Sequence, residues 1–183
     1  LDIWQVFNAT RFLVSPFGAR CTTELKKKVR QKFEQEGDLQ VFGYTIEEGE
    51  RLNRFKQNNP EMSIWCPLID RKLSKSDCHD IISQAGIELP TMYKLGFRNN
   101  NCIGCPKGGQ KYWARIRKHF PGQFDRMAKV ERDLGVAICK RTVGGESTRF
   151  FLDELPEDID IHEPEPSISC GLFCGQYIEG DNG

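Results

Sequence analysis

An α/β layered fold is predicted by the order of segments along this chain, and three observations predict it. Amphipathic stretches of helical period carry recognisable caps, short β-rich runs fall between them, and the composition is that of a globular chain. Of the 183 residues, 38% are apolar and 28% charged, which suits one ordinary core rather than a disordered chain. No apolar run approaches the roughly 20 residues that cross a bilayer, so no membrane partner is expected. The opening LDIWQVFNATRF lacks the charged-then-apolar order of a signal peptide. It also lacks an initiator Met, and residues upstream of Leu1 are expected.

The first helix is predicted in TTELKKKVRQKFEQEG, where Leu25, Val29 and Phe33 recur every four residues. Thr22 or Thr23 would cap it and Gly37 would end it. LQVFGY follows as a short strand. Thr45 and Glu48 have capping-box spacing and open a helix through Leu52 and Phe55 that stops before Pro60. SIWCPLI is read as a second strand, Pro67 included, and Ser74 or Ser76 starts a helix over SDCHDIISQAG that Gly86 terminates. Two helical pieces meet at Pro121-Gly122; Trp113 and Ile116 mark the first, Phe124, Met127, Ala128 and Leu134 the second. GVAICKR and STRFFLDEL flank Val143-Gly144-Gly145-Glu146, which predicts a hairpin better than a phosphate loop. PEDIDIHEPEPSIS, with Pro156, Pro164 and Pro166, reads as an acidic linker. The organisation expected is a folded domain over 1–152, then a linker and cysteine-containing tail over 153–183.

Net charge is zero but unevenly spread. Asp153 to Glu165 holds seven acidic residues and no Lys or Arg, which leaves the remainder at about +7. Lys111, Arg115, Arg117, Lys118, Arg126, Lys129 and Arg132 make the stretch from Lys107 to Arg141 basic. Such a stretch suits phosphates, and equally a solvated helix face.

Eight cysteines without a secretion signal point to a reducing compartment, taken as the cytoplasm, rather than to a disulfide framework. Cys78 shares a helical stripe with Ile81, Ile82 and Ala85, while Cys66 and Cys139 lie in strand-like runs; all three are read as core. The remainder divides into Cys21, the pair Cys102 and Cys105 in NNNCIGCPKGG, and the pair Cys170 and Cys174 in SCGLFCG. Two thiolates three residues apart can face one ion, with Gly104 relieving crowding between them. A redox pair and a plain turn are the alternatives. Cys170, next to Ser169 and Gly171, would be a nucleophile if a cationic neighbour lowered its pKa, or half of a C-x-x-x-C metal site. Arg20 and Lys26 flank a helix start whose amides could receive an anion, though ordinary surface charge accounts for them as well.

Several segments taken in order resemble the phosphoadenylyl-sulfate reductase family of the PP-loop adenine nucleotide α-hydrolase superfamily. They are RCTTELK, VFGYTIEEGERLNRF, WCPLIDRKLSKSDCHDIISQAGIELPTMYKLGFRNNNCIGC and SCGLFCG. The central block is the most specific, and the match spans most of residues 11–175. It is most similar to the reductase-like proteins of bacteria and phages. The resemblance implies a parallel sheet flanked by helices, here a C-terminal portion of it with a small helical and hairpin extension. It implies an adenylyl sulfate or ATP-type nucleotide as substrate, Cys170 as the nucleophile that takes up the sulfonate, and thioredoxin or glutaredoxin as the reductant. Ser169 and Phe173 stand where the family's motif has Glu and His.

Cys21, Cys102 and Cys105 match cluster positions of the adenylyl-sulfate branch, with Cys174 as a candidate fourth ligand. A [4Fe–4S] cluster is therefore expected, with zinc as the alternative. Thr22 stands where that branch has a second tandem cysteine. Lys26 and Arg51 fall at the family's phosphate or sulfate contacts, and Arg20 is grouped with them. The superfamily's S-G-G-x-D-S loop does not occur in the chain, so either it lies upstream or this copy is degenerate. Two rivals stand beside the reductase: an iron–sulfur sulfurtransferase acting on nucleic acid, its basic helices holding the polynucleotide, and a non-catalytic metal-stabilised binding module.

Overall fold

A computed structural model describes residues 1–15 and 18–162, and Cys170 and Cys174 lie outside the described residues. The described residues form two compact units: Leu1–Val29 with those from Pro90 onward, and Arg30–Leu89. Both mix helices with short strands, so the α/β class holds in its coarse form. Each described sheet has two strands.

The first unit begins with α1 (Ile3–Thr10), which the sequence reading omitted. Asp2 and Gln5 close a capping box there, and Trp4, Val6 and Phe7 are buried on its inner side. Next comes α2 (Arg20–Thr22), continued by a π-helical stretch Thr23–Lys27 and then by α3 (Lys28–Phe33), within which the unit boundary falls. The predicted cap is corrected here: Ala19 is the N-cap, and Thr22, 1% exposed, lies inside the helix. The predicted apolar stripe is corrected too. Leu25 packs on the core, whereas Val29 and Phe33 are 46% and 79% exposed. A π-helical turn explains the mismatch, because its wider winding breaks a four-residue repeat.

The second unit holds β1 (Leu39–Val41), a 3-10 turn Ile46–Glu48, α4 (Gly49–Asn58), β2 (Ser63–Trp65), α5 (Pro67–Asp70) and α6 (Lys75–Gln84). β1 and β2 pair in parallel, Leu39 opposite Ser63 and Val41 opposite Trp65. The predicted Thr45/Glu48 capping box is formed, and of the two candidate starts Ser74 is the N-cap of α6, closing a further box with Asp77. Phe42, Tyr44 and Phe55 make an aromatic core, with Phe42 edge-on to Phe55 at 5.0 Å. The strand read into SIWCPLI ends at Trp65; Pro67 occupies the first turn of a helix instead, where its missing N–H costs nothing. Cys66 is buried, as expected of a core thiol. Cys78 is not: α6 buries none of its residues, and Ile81 is 49% exposed.

Beyond α7 (Thr91–Lys94), the first unit is completed by α8 (Gln110–His119) and α9 (Pro121–Leu134), joined at Phe120, and by the antiparallel pair β3 (Cys139–Val143) and β4 (Glu146–Phe150). Pro121 opens α9 and Gly135, at φ 68°, closes it in the left-handed region. The hairpin is the one predicted: Gly144 and Gly145 both take positive φ, as a two-residue type I′ turn demands. Trp113, Ile116 and Met127 face the same core as Trp4 and Phe7, and each is 0% exposed. A 3-10 turn, Leu152–Glu154, then brings Leu152 and Leu155 into that core, with Ile159 and Ile161 against its margin. The first part of the predicted linker is thus packed.

Candidate functional site

The Cys102–Cys105 segment is a built turn. The Cys105 N–H donates to the Cys102 carbonyl at 3.1 Å, closing a four-residue turn with Gly104 at φ 92°. Positive φ at the third position defines a type II turn and calls for glycine. A Cβ on Gly104 would also stand 2.8 Å from the Trp4 ring, so residue 104 is glycine for two reasons. A second turn follows directly, with the Gly108 N–H donating to the Cys105 carbonyl at 3.0 Å. Cys102 is exposed, and Cys105 is 4% exposed.

Tyr112, in the first turn of α8, holds this loop from beneath. Its Oη accepts the Gly104 N–H at 3.0 Å and the Cys105 N–H at 2.9 Å, and donates to the Cys102 carbonyl at 2.7 Å. Burial pushes the Tyr112 phenol well above its ordinary range, so it stays a neutral donor. The sequence reading missed Tyr112, since no spacing rule ties a tyrosine seven residues on to the backbone of a C-x-x-C turn.

Of the other candidates, Cys21 is 8% exposed and belongs to the same apolar core as Cys105. Arg20 opens α2 in the first unit, and Lys26 is exposed within the π-helical stretch. Arg51 belongs to the second unit, on α4, where it pairs with Glu48 and lies 5.1 Å from the Tyr44 ring centre. Among the described residues, no group of three or more His, Cys, Asp or Glu side chains gathers to hold a metal ion. The donor chemistry of the Cys102–Cys105 turn therefore fits a two-thiolate half-site, which the described residues do not complete.

Part of the basic stretch turns inward. Arg115, 5% exposed, donates to the Ile161 carbonyl; Arg117 donates to the Leu155 carbonyl at 2.7 Å and to that of Pro156. Arg132 grips Asp153 with two hydrogen bonds, at 2.8 and 2.6 Å, and reaches Glu154 at 2.8 Å. Arg126 covers the Trp4 ring at 4.5 Å. Arg115 and Arg117 thereby fasten the start of the acidic segment from within, whereas Arg126 and Arg132 make their contacts at the surface.

Another titratable group missed in the sequence is Glu131, 0% exposed. It falls four residues after Met127, on the apolar face of α9, which is the signal that marks it. Its two oxygens accept the Ile138 and Leu152 N–H groups, each at 2.6 Å. Burial pushes its carboxyl up to about 7, against the opposing pull of the two amides. The neighbouring Cys139 thiol is pushed up to about 12, by burial first and by the Glu131 charge second. That makes Cys139 the inert core thiol the sequence predicts.

No family model, curated protein or solved structure matches the chain.

Proposed function

We propose that this chain is a sulfur-handling protein similar to the phosphoadenylyl-sulfate reductases, with β1 and β2 belonging to a parallel sheet flanked by helices. The observation that supports the reading is the thiol pair Cys102 and Cys105, set in a turn that one glycine and one tyrosine hold in place. A turn fixed this firmly, with one thiol exposed, presents sulfur for chemistry rather than for packing alone. In this reading Cys102 and Cys105, with Cys174, are thiolates for an iron–sulfur cluster or zinc, which would supply charge compensation near the substrate's sulfate, while Cys21 does not gather with the pair among the described residues.

The sulfur chemistry belongs to Cys170. Its thiolate attacks the sulfur of an adenylyl sulfate; an S–S bond forms, the S–O bond to phosphate breaks, and the nucleotide leaves with the electron pair. A thiolate of a thioredoxin-type dithiol then attacks the Cys170 Sγ, and sulfite departs. The reductant's second thiol displaces Cys170 from the mixed disulfide, so the dithiol is oxidised and the sulfonate reduced to sulfite. Arg20 and Lys26, both in the first unit, are the proposed contacts to the nucleotide's anionic groups.

The test is anaerobic purification of the full-length protein, followed by iron, sulfide and zinc assays and incubation with adenylyl sulfate. The reading expects thiolate-bound metal and a sulfonate adduct, 80 mass units on the order of magnitude of one SO3 group, on Cys170 that a dithiol removes. Metal-free protein that forms no adduct rejects it.

A further inference from the structure

We infer that Tyr112 is the positioning residue of the Cys102–Cys105 pair, setting the two cysteines relative to each other through three backbone hydrogen bonds from one hydroxyl. This rests on the proposed thiolate role of the pair. A phenol has one donor and two acceptor lone pairs, and here all are used: Gly104 and Cys105 donate to it, and Cys102 accepts from it. The hydroxyl therefore grips the backbone of both cysteines and of the glycine between them.

The ring that carries it is itself locked. Phe97 and Trp113 stand edge-on to it at 5.6 and 5.3 Å. Gly108 passes so close that an added Cβ would lie 2.0 Å from the Tyr112 Cδ1. Plain turn closure would need only the 3.1 Å bond from Cys105 to Cys102. The hydroxyl adds something else: it shares the Cys105 amide with the Cys102 carbonyl and occupies the Gly104 amide, a donor that would otherwise be available to a nearby thiolate, and hydrogen bonds to sulfur tune what a thiolate ligand does. Tyr112 thus governs sulfur spacing and sulfur electronics together.

The test compares the full chain with Tyr112→Phe, which keeps the ring, and with Ile116→Val, which trims the same helix in the core without touching the turn. Reduced protein is titrated with cobalt(II), following the thiolate-to-cobalt absorption. Tyr112→Phe should weaken cobalt binding about 10–100-fold and shift the absorption band, while Ile116→Val matches the parent. Equal affinity in parent and Tyr112→Phe, or equal loss in both variants, overturns the inference.

Alkylation of metal-free protein provides a readout that needs no metal. In the parent, Cys102 should react well ahead of Cys105, and Tyr112→Phe should raise the Cys105 rate about tenfold or more. An unchanged ratio overturns the inference. A parent that binds no cobalt yet shows this contrast, and loses it in Tyr112→Phe, rejects the metal reading and upholds Tyr112. If Tyr112→Phe does not fold, amide exchange in the parent decides. Slow exchange at Gly104 and Cys105, matching Trp113 in α8, upholds the clamp, and fast exchange overturns it.

Discussion

The Glu131 carboxyl accepts the Leu152 N–H at 2.6 Å across 21 residues of sequence, and with its other oxygen it accepts the Ile138 N–H. One buried side chain on α9 therefore ties down the entry to β3 and the turn that follows β4. The same carboxyl faces Cys139 from β3 and Asp153 from the 3-10 turn, with Arg132 beside it on α9.

That arrangement predicts a pH dependence. The folded-state pKa of Glu131 is raised from 4.5 to about 7, chiefly by burial, so the native state binds the extra proton between those values. Its contribution to stability is full below about 4.5 and is lost as pH rises through about 7, a change of about 3 kcal/mol. Glu131→Gln removes this titration. Urea unfolding of both proteins at pH 4.5, 6 and 7.5 should show the parent losing stability relative to Glu131→Gln as pH rises. A difference that stays flat across this window contradicts the assignment.

Gly104 and Gly108 should be intolerant of the smallest side chain, for different reasons. Gly104→Ala meets both the left-handed backbone and the Trp4 ring, and should cost about 2–4 kcal/mol. Gly108→Ala meets the Tyr112 ring directly and should cost at least as much. Gly122, in the first turn of α9 with open space around it, is the control; Gly122→Ala should be neutral or stabilising by about 0.5 kcal/mol. Thermal midpoints of the three variants provide the check.

Cys170→Ser should lose sulfite formation by about a thousandfold or more while nucleotide binding stays within about twofold of the parent, because a nucleophile serves the reaction rather than recognition. Sulfite release and equilibrium binding of an adenylyl nucleotide measure the two effects. Full sulfite formation by the variant rejects the proposed mechanism, and loss of bound metal reassigns Cys170 to the ligand set.

Lys26→Ala should weaken binding of the same nucleotide and leave the thermal midpoint nearly unchanged, since Lys26 is exposed and its removal opens no cavity. Salt should weaken the parent's binding more than the variant's. Identical affinities remove Lys26 from the anion site.

What the chain's residues determine alone is local, and it was readable. Thr45 with Glu48 and Ser74 with Asp77 cap their helices because each box closes within four residues. Gly144-Gly145 makes its hairpin because two positive φ values in succession suit glycine. Asp2 and Gln5 carried the same kind of signal for α1. Tertiary structure decided the rest. Phe33 and Ile81 sit in well-formed helices yet remain exposed, because helical period describes a face but not what, if anything, covers it. Glu131 is buried and Arg115 turned inward because amides and carbonyls from distant segments meet them there. The C-x-x-C spacing could be seen in the sequence, but the hydroxyl beneath it could not: backbone hydrogen bonds leave no mark on the identity of the residues that donate them.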